Sequence, residues 1–212
     1  MNRRNYQKEC DALIGKMKEE GCESRPTLLL HICCAPCSSY TLEYLNEFFD
    51  ITVFFYNPNI TDKEEYEKRK QEEIRFLSNY PFLHKPDFME GEFEPEVFLE
   101  MAKGQEEVPE GGSRCFGCYE LRLLKTVRLA KEKNFDYFCT SLSISPHKNA
   151  EKLMEIGERL GKEYGVVYLP SDFKKKNGYK RRIELSKEYH LYRQNYCGCQ
   201  FSKAMTSKAE GI

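Results

Sequence analysis

No tryptophan occurs in the 212 residues, and no stretch approaches the roughly 18 consecutive apolar residues of a membrane-spanning helix. The opening segment MNRRNYQKECDALIGKMKEEGC also lacks an apolar run of leader-peptide length. A membrane protein and an exported one are set aside, and a cytoplasmic location is expected. Net charge is nearly absent as well, at -1. Against these absences stand 40% hydrophobic and 32% charged residues with 14 Phe and 14 Tyr, a balance that suits a globular core and excludes wholesale disorder. At this length one domain suffices.

The neutral total hides a segregation. Between residues 86 and 110 the acids Asp87, Glu90, Glu92, Glu94, Glu96, Glu100, Glu106, Glu107 and Glu110 face only Lys103. Between 174 and 208 the sign reverses, with Lys174, Lys175, Lys176, Lys180, Arg181, Arg182, Lys187, Arg193, Lys203 and Lys208 against Glu184 and Glu188.

Hydrophobic patterning predicts α/β architecture. Residues 4 to 20 have helical spacing through Tyr6, Cys10, Leu13, Ile14 and Met17, and read as an N-terminal helical appendage (1–26) to a single domain over 27–212. TLLLHIC, residues 27 to 33, is a continuous apolar run of the kind buried on both faces of a parallel sheet. After a CCAPCSS loop, Ser38 or Ser39 is expected to cap a helix through Tyr40, Leu42, Leu45 and Phe48, leading to a second strand over 50–57. Helices are predicted over 62–78 (apolar face Tyr66, Ile74, Leu77), 95–102, 114–133 (Leu121, Leu124, Val127 and Leu129 inward) and 149–164. Further strands are predicted over 135–145 and 166–170. The alternation implies a doubly wound, Rossmann-like parallel sheet of about four or five strands with helices on both faces. Its active crevice should lie at the carboxyl ends of the strands, where the loops at 33–39 and 141–149 would meet.

Ten cysteines require a reason, because a reducing cytoplasm disfavours structural disulfides. Seven fall into three groups beside Pro, Gly or Ser: Cys33, Cys34 and Cys37; Cys115 and Cys118; Cys197 and Cys199. Such spacing points to a metal site rather than to buried core cysteines. Cys10, Cys22 and Cys139 lie alone or on apolar patterns and read as core. Four thiolates would satisfy a structural zinc ion or a [4Fe-4S] cluster. The remaining three could hold a second metal, or two of them could exchange electrons as a redox pair. Cys197 and Cys199 suit either role, since a C-x-C disulfide is a small, strained ring.

Six bases, Lys174, Lys175, Lys176, Lys180, Arg181 and Arg182, are interleaved with Tyr179 and followed by Tyr189, Tyr192 and Tyr196, a mixture that grips phosphates and stacks on unpaired bases. RNA contact is therefore expected just before the last cysteine pair. His147, after Ser145-Pro146, is placed in the crevice as an acid candidate, and Tyr192 is a second one. His31, inside the first strand, reads as a hydrogen-bonded core histidine. Lys148 and Asn149 suit phosphate binding or helix capping.

The stretches LLLHICCAPCSSYTLEYL, SRCFGCYELRL, FDYFCTSLSISPHKN and LYRQNYCGCQFS closely resemble the QueH family of epoxyqueuosine reductases, the kind that uses no cobalamin, over residues 27 to 202. The resemblance implies removal of the epoxide oxygen of epoxyqueuosine at the tRNA wobble position, the last step of queuosine synthesis. By position, it implies Cys33, Cys34, Cys115 and Cys118 as ligands of a [4Fe-4S] cluster, and Cys197 with Cys199 as a redox-active pair or ligands of a second, mononuclear iron. Family members can carry Asp where this chain has Cys37, near that second metal. The implied partners are tRNA carrying epoxyqueuosine and an external electron donor, and an open iron site would act as a Lewis acid on the epoxide oxygen. Two rival readings compete with this one: an ATP-dependent tRNA thiolase, which needs a Gly-rich phosphate loop where this chain has CCAPCSS, and a non-catalytic zinc-bearing RNA-binding module, which needs fewer thiols.

Overall fold

A computed structural model describes residues 4–19 and 24–209, so Cys22 lies outside the described residues. Five strands form one parallel sheet: β1 (Thr27–Ile32), β2 (Asp50–Phe55), β3 (Asp87–Glu90), β4 (Tyr137–Thr140) and β5 (Val167–Tyr168), in the order β3-β2-β1-β4-β5. The apolar runs that read as buried strands occupy its centre, where Leu28, Leu29, Leu30 and Ile32 are wholly buried. Helices α1 (Tyr6–Glu19), α2 (Ala35–Leu45), α3 (Lys63–Asn79), α4 (Pro95–Ala102), α5 (Ser113–Glu132), α6 (Ala150–Tyr164), α7 (Gly178–Glu188) and α8 (Gln200–Ala209) complete the described chain. They flank the sheet in packed sets, α2 with α3 and α7, and α5 with α4 and α6. Cys10 and Ile14 of α1 join the same buried cluster as the central strands. No described helix is long and apolar enough to cross a membrane.

The strand order reverses between β1 and β4, which places the crevice of a doubly wound sheet beyond their carboxyl ends. A polar clasp fixes that edge. His31 on β1 sits 3.0 Å from the Tyr56 carbonyl through Nε2 and 2.8 Å from Thr140 Oγ1 through Nδ1. The carbonyl can only accept, so Nε2 carries the proton and Nδ1 accepts from the threonine hydroxyl. Burial pushes the imidazole down to about 3, and the ring is a neutral core histidine joining the ends of three strands.

Several local expectations are corrected. Ser38 and Ser39 do not cap α2. Cys34 is the extended N-cap residue and Pro36 lies in the first turn, where its missing N–H costs nothing. The apparent loop is therefore already helix. The strand expected over 135–145 ends at Thr140, whose side chain accepts from Leu142 N and turns the chain into the 3-10 helix Ser141–Ile144. β5 is likewise shorter than expected, and the edge strand β3 lies in a segment too polar to signal one. On α3, Ile74 is 36% exposed, whereas Arg69 and Glu73 face inward with Tyr66, Phe76 and Leu77. On α5 the buried residues include Tyr119, Leu123, Val127 and Ala130, with Leu121, Leu124 and Leu129 only partly covered.

Glu73 is fully buried, and both its oxygens lie 2.8 Å from Ser38 Oγ on α2. Burial pushes its carboxyl up to about 8, against the Ser38 bond that lowers it. The unfolded chain ionises this group near its ordinary carboxylate value, so native stability falls as pH rises toward 8 and levels off above. Glu73→Gln keeps a partner for Ser38 and removes the ionisation. It should stabilise the protein by on the order of 2–3 kcal/mol near pH 7 and by little near pH 4. Thermal unfolding at the two pH values measures this, and an equal effect at both would rule the account out.

Candidate metal centre and crevice

The end of β1 delivers three thiols together. Cys33 follows the strand, Cys34 caps α2, and Cys37 stands one turn further along, so all three Sγ atoms lie within 4.8 Å of one another. Cys33 and Cys34 Sγ are 3.7 Å apart. Cys34 Sγ also accepts from Gln194 Nε2 at 2.9 Å. Hydrogen bonds from the Cys33 and Cys37 thiols hold Cys34 well below the usual thiol range against the cost of burial, and Arg69 adds its charge. Cys33 is correspondingly pushed up by its bond to Cys34. Of the three sulfurs, Cys34 is the one favoured as a thiolate, and it lies at α2's amino end.

The second pair rides on the first turns of α5. Cys115 Sγ accepts from Gly111 N at 3.3 Å, and Cys118 follows at i+3 on the same side of the helix. Burial pushes the Cys118 thiol up to about 11. The third pair is held by charge. Arg69, only 1% exposed, is bonded to Glu65 at 2.6 Å and donates to the carbonyls of Cys197 at 3.1 Å and Tyr196 at 3.4 Å. Lys148 Nζ donates to Cys197 Sγ at 3.1 Å and pairs with Glu110 at 3.0 Å. Burial opposes the lysine's charge, but Cys197, Tyr119 and Glu110 outweigh it and hold the ammonium well above its usual range. Cys199 Sγ accepts from Ser202 N at 3.3 Å, at the start of α8.

All nine described cysteines are free thiols, and Cys10 and Cys139 are wholly buried in the core. Seven converge. Cys115, Cys118, Cys197 and Cys199 line one small cavity with Arg122 and Lys148. Cys33 and Cys37 open on an adjoining crevice of about 420 Å³, whose wall includes Cys197, Arg182, Gln194 and Tyr196. Arg122 borders both spaces: burial opposes its charge, and Cys118, Cys197 and Cys33 together outweigh that. Its Nη2, with Asn59 Oδ1 and Tyr119 Oη, lacks a partner although each lines the cavity and is buried. Thiols, fixed cations and orphaned polar atoms fit a bound anionic metal–thiolate group, and soft thiolate donors suit iron–sulfur or zinc.

His147 stands exposed on the crevice rim. Tyr192 is not among the residues lining the crevice; its hydroxyl donates to Glu65 at 2.9 Å, Lys68 Nζ lies 3.7 Å from its ring centre, and burial pushes the phenol up to about 12. The basic run divides. Lys174 is bonded to Asp172, Lys176 to Asp11, and Arg181 to Glu43. Lys175 and Lys180 are exposed, and Arg182 turns inward to 3.8 Å from Cys37 Sγ. Sequence reasoning misses Arg69, Arg122, Glu110 and Gln194. Only Arg122, four residues after Cys118, and Gln194, three before Cys197, have positional hints.

A doubly wound sheet whose switch point is ringed by thiols defines a Rossmann-like protein with a cysteine-lined crevice. The family model described as epoxyqueuosine reductase QueH matches residues 28–205, and the chain belongs to that family. Proteins named epoxyqueuosine reductase QueH are similar to it throughout. That of Streptococcus pyogenes serotype M1 is 48% identical over 183 residues, covering 85% of this chain and 72% of the relative. That of Staphylococcus epidermidis is 44% identical over 204 residues (93% and 84%), and that of Thermotoga maritima 36% over 179 residues (83% and 90%).

Gly198 has φ +115°, and a Cβ there would lie 2.9 Å from Ile60 Cγ1 and 3.1 Å from Arg69 Nη1. Gly198→Ala should strain the C-x-C loop by about 1–3 kcal/mol and loosen its seat on Arg69. Alkylation of Cys199, only 8% exposed, should then quicken. An unchanged labelling rate would show that the loop tolerates a side chain there.

Proposed function

We propose that this chain is an epoxyqueuosine reductase acting on tRNA. The epoxide takes up two electrons and two protons, its oxygen leaves as water, and a cyclopentene remains at the wobble base. The observation that carries the reading is the convergence of seven thiols from three distant segments at the switch point of the sheet, beside a crevice large enough for a nucleoside side group. Family membership supports it. We take residues 27 to 212 as the reductase domain, with residues 1 to 26 added before it, and place the reaction in the cytoplasm, where thiols stay reduced.

Cys33, Cys34, Cys115 and Cys118 would hold a [4Fe-4S] cluster, and Cys197 with Cys199, beside Cys37, would form a redox pair or hold a second iron. When bound, such a cluster supplies electrons singly from an external reductant. Arg122 and Lys148 hold fixed positive charge against the thiolates and keep that charge out of water. Tyr196 and Gln194 wall the crevice and orient the base, and His147 on the rim is positioned to pass a proton inward. Tyr192 is given no proton-transfer role, since its hydroxyl is engaged by Glu65.

Iron content and turnover on anaerobic single variants separate these roles. Cys118→Ser should lose cluster iron and colour together with activity. Cys197→Ser should keep the cluster spectrum and lose reduction of epoxyqueuosine. Loss of cluster iron in Cys197→Ser would transfer that thiol to the cluster, and full activity in it would remove the pair from the chemistry.

Lys174, Lys175, Lys176, Lys180, Arg181 and Arg182 are proposed to contact tRNA, led by the exposed Lys175 and Lys180. Replacing both exposed lysines by Gln should weaken tRNA binding and lower the slope of log affinity against log salt by roughly 0.7–0.9 for each phosphate no longer neutralised. A slope equal to that of the parent protein would mark these lysines as solvated surface only.

A further inference from the structure

A second groove, of about 640 Å³, adjoins the crevice and shares Pro146, His147 and Lys148 with it. Its far wall is the start of α1, and its floor is the start of α6, capped by Asn149, whose side chain accepts from Lys152 N. Arg4, Lys148, Lys174 and Lys175 line it against only Glu151 and Asp172. The wall is preformed: the Arg4 guanidinium lies 5.0 Å from the Tyr6 ring centre and is clamped by Glu9 at 2.7 Å and Glu158 at 2.7 Å. Since Glu158 belongs to α6, this clamp fixes α1 to α6 across the groove. Lys174 is held by Asp172, while Lys175 is exposed and its ammonium forms no ion pair among the described residues.

The proposed reaction needs only the crevice, yet a single RNA strand entering it must leave it. The shared residues make the groove the continuation of that path. An aromatic ring, a stacked guanidinium and an uncommitted lysine are the chemistry that receives an unpaired nucleotide. A helix amino end adds favourable potential for its phosphate.

We propose that this groove is a nucleotide subsite, holding the residue next in the strand to the one in the crevice, with its base against the Tyr6 and Arg4 wall and its phosphate toward Lys175. The proposal rests on the reading of the crevice as an RNA site and gives the N-terminal helix a role in substrate binding.

The test uses an anticodon stem-loop carrying epoxyqueuosine, together with versions made abasic at either flanking position. Tyr6→Ala should lower affinity about tenfold, within the range for loss of one base–aromatic stack, and Tyr6→Phe should restore it. One abasic stem-loop should bind the wild-type protein as weakly as Tyr6→Ala binds the full stem-loop, with no further loss when the two changes are combined. Lys175→Glu, at an exposed position that folding does not depend on, should also weaken binding and reduce its salt dependence. If the wild-type protein binds and reduces the stem-loop while Tyr6→Ala and Lys175→Glu both match its affinity, the subsite is overturned and the function stands. A wild-type protein that does not bind the stem-loop overturns both.

Discussion

The structure depends on burying positive charge beside sulfur. Arg69, Arg122 and Arg114 are among the largest fully buried side chains, and Lys148 is nearly so. A guanidinium taken out of water costs several kcal/mol unless it is paired and hydrogen-bonded. Arg69 has Glu65 and two carbonyls, and Arg114 has the carbonyls of Gln105 at 2.6 Å and Glu106 at 2.8 Å. Among the described residues Arg122 has one hydrogen bond, to the Cys118 carbonyl at 3.2 Å, and lies 6.0 Å from the Tyr119 ring centre, with Nη2 unpartnered. The sulfurs of Cys118, Cys197 and Cys33 around it can offset the rest only when they carry charge, as metal-bound thiolates would. Helix α3 brings one of these cations, α5 brings two and the segment after β4 brings the fourth, and the order of strands in the sheet makes those elements meet.

The sulfur is legible in the sequence, and the charge is not. Cysteine groups beside Pro and Gly are conspicuous, and the apolar run that forms β1 places Cys33, Cys34 and Cys37 at a strand end. Buried Arg and Glu carry no such signal, because in a sequence they read as solvated surface. The helical face of α3 is misjudged in part for this reason: Tyr66 and Leu77 are buried as expected, but hydrophobicity also turns Ile74 inward and misses the buried Arg69 and Glu73. The cap of α2 is misjudged for a related one. Ser38 and Ser39 follow the usual preference for a hydroxyl at the N-cap, but the thiol-bearing Cys34 occupies that position and the serines are buried inside the helix.

The basic segment shows how tertiary structure divides a run that looks uniform. It contains α7, hidden in the sequence because Lys, Arg and Tyr mask the helical period and Asn177 enters it at φ +64°. Arg181 is spent on Glu43 of α2 and Arg182 turns toward Cys37 of the same helix, so α7 is docked on the thiol-bearing helix by its own charges. Gly178 is required there, since a Cβ would run into the Phe173 carbonyl and the Tyr40 ring.

From this docking the chain passes through Gln194 and Tyr196, which wall the crevice, directly to Cys197 and Cys199. One continuous segment thus carries exposed bases, crevice wall and thiols in that order. Arg69 fixes its last turn, and the packing of α7 on α2 fixes its first. A nucleic acid bound along the exposed bases would therefore meet the crevice at a set distance, with both ends of the segment already anchored. The short spacing between the basic run and the C-x-C pair is in this sense a geometric constraint. It lets the element that would grip the substrate and the element that carries sulfur to it be held as one piece.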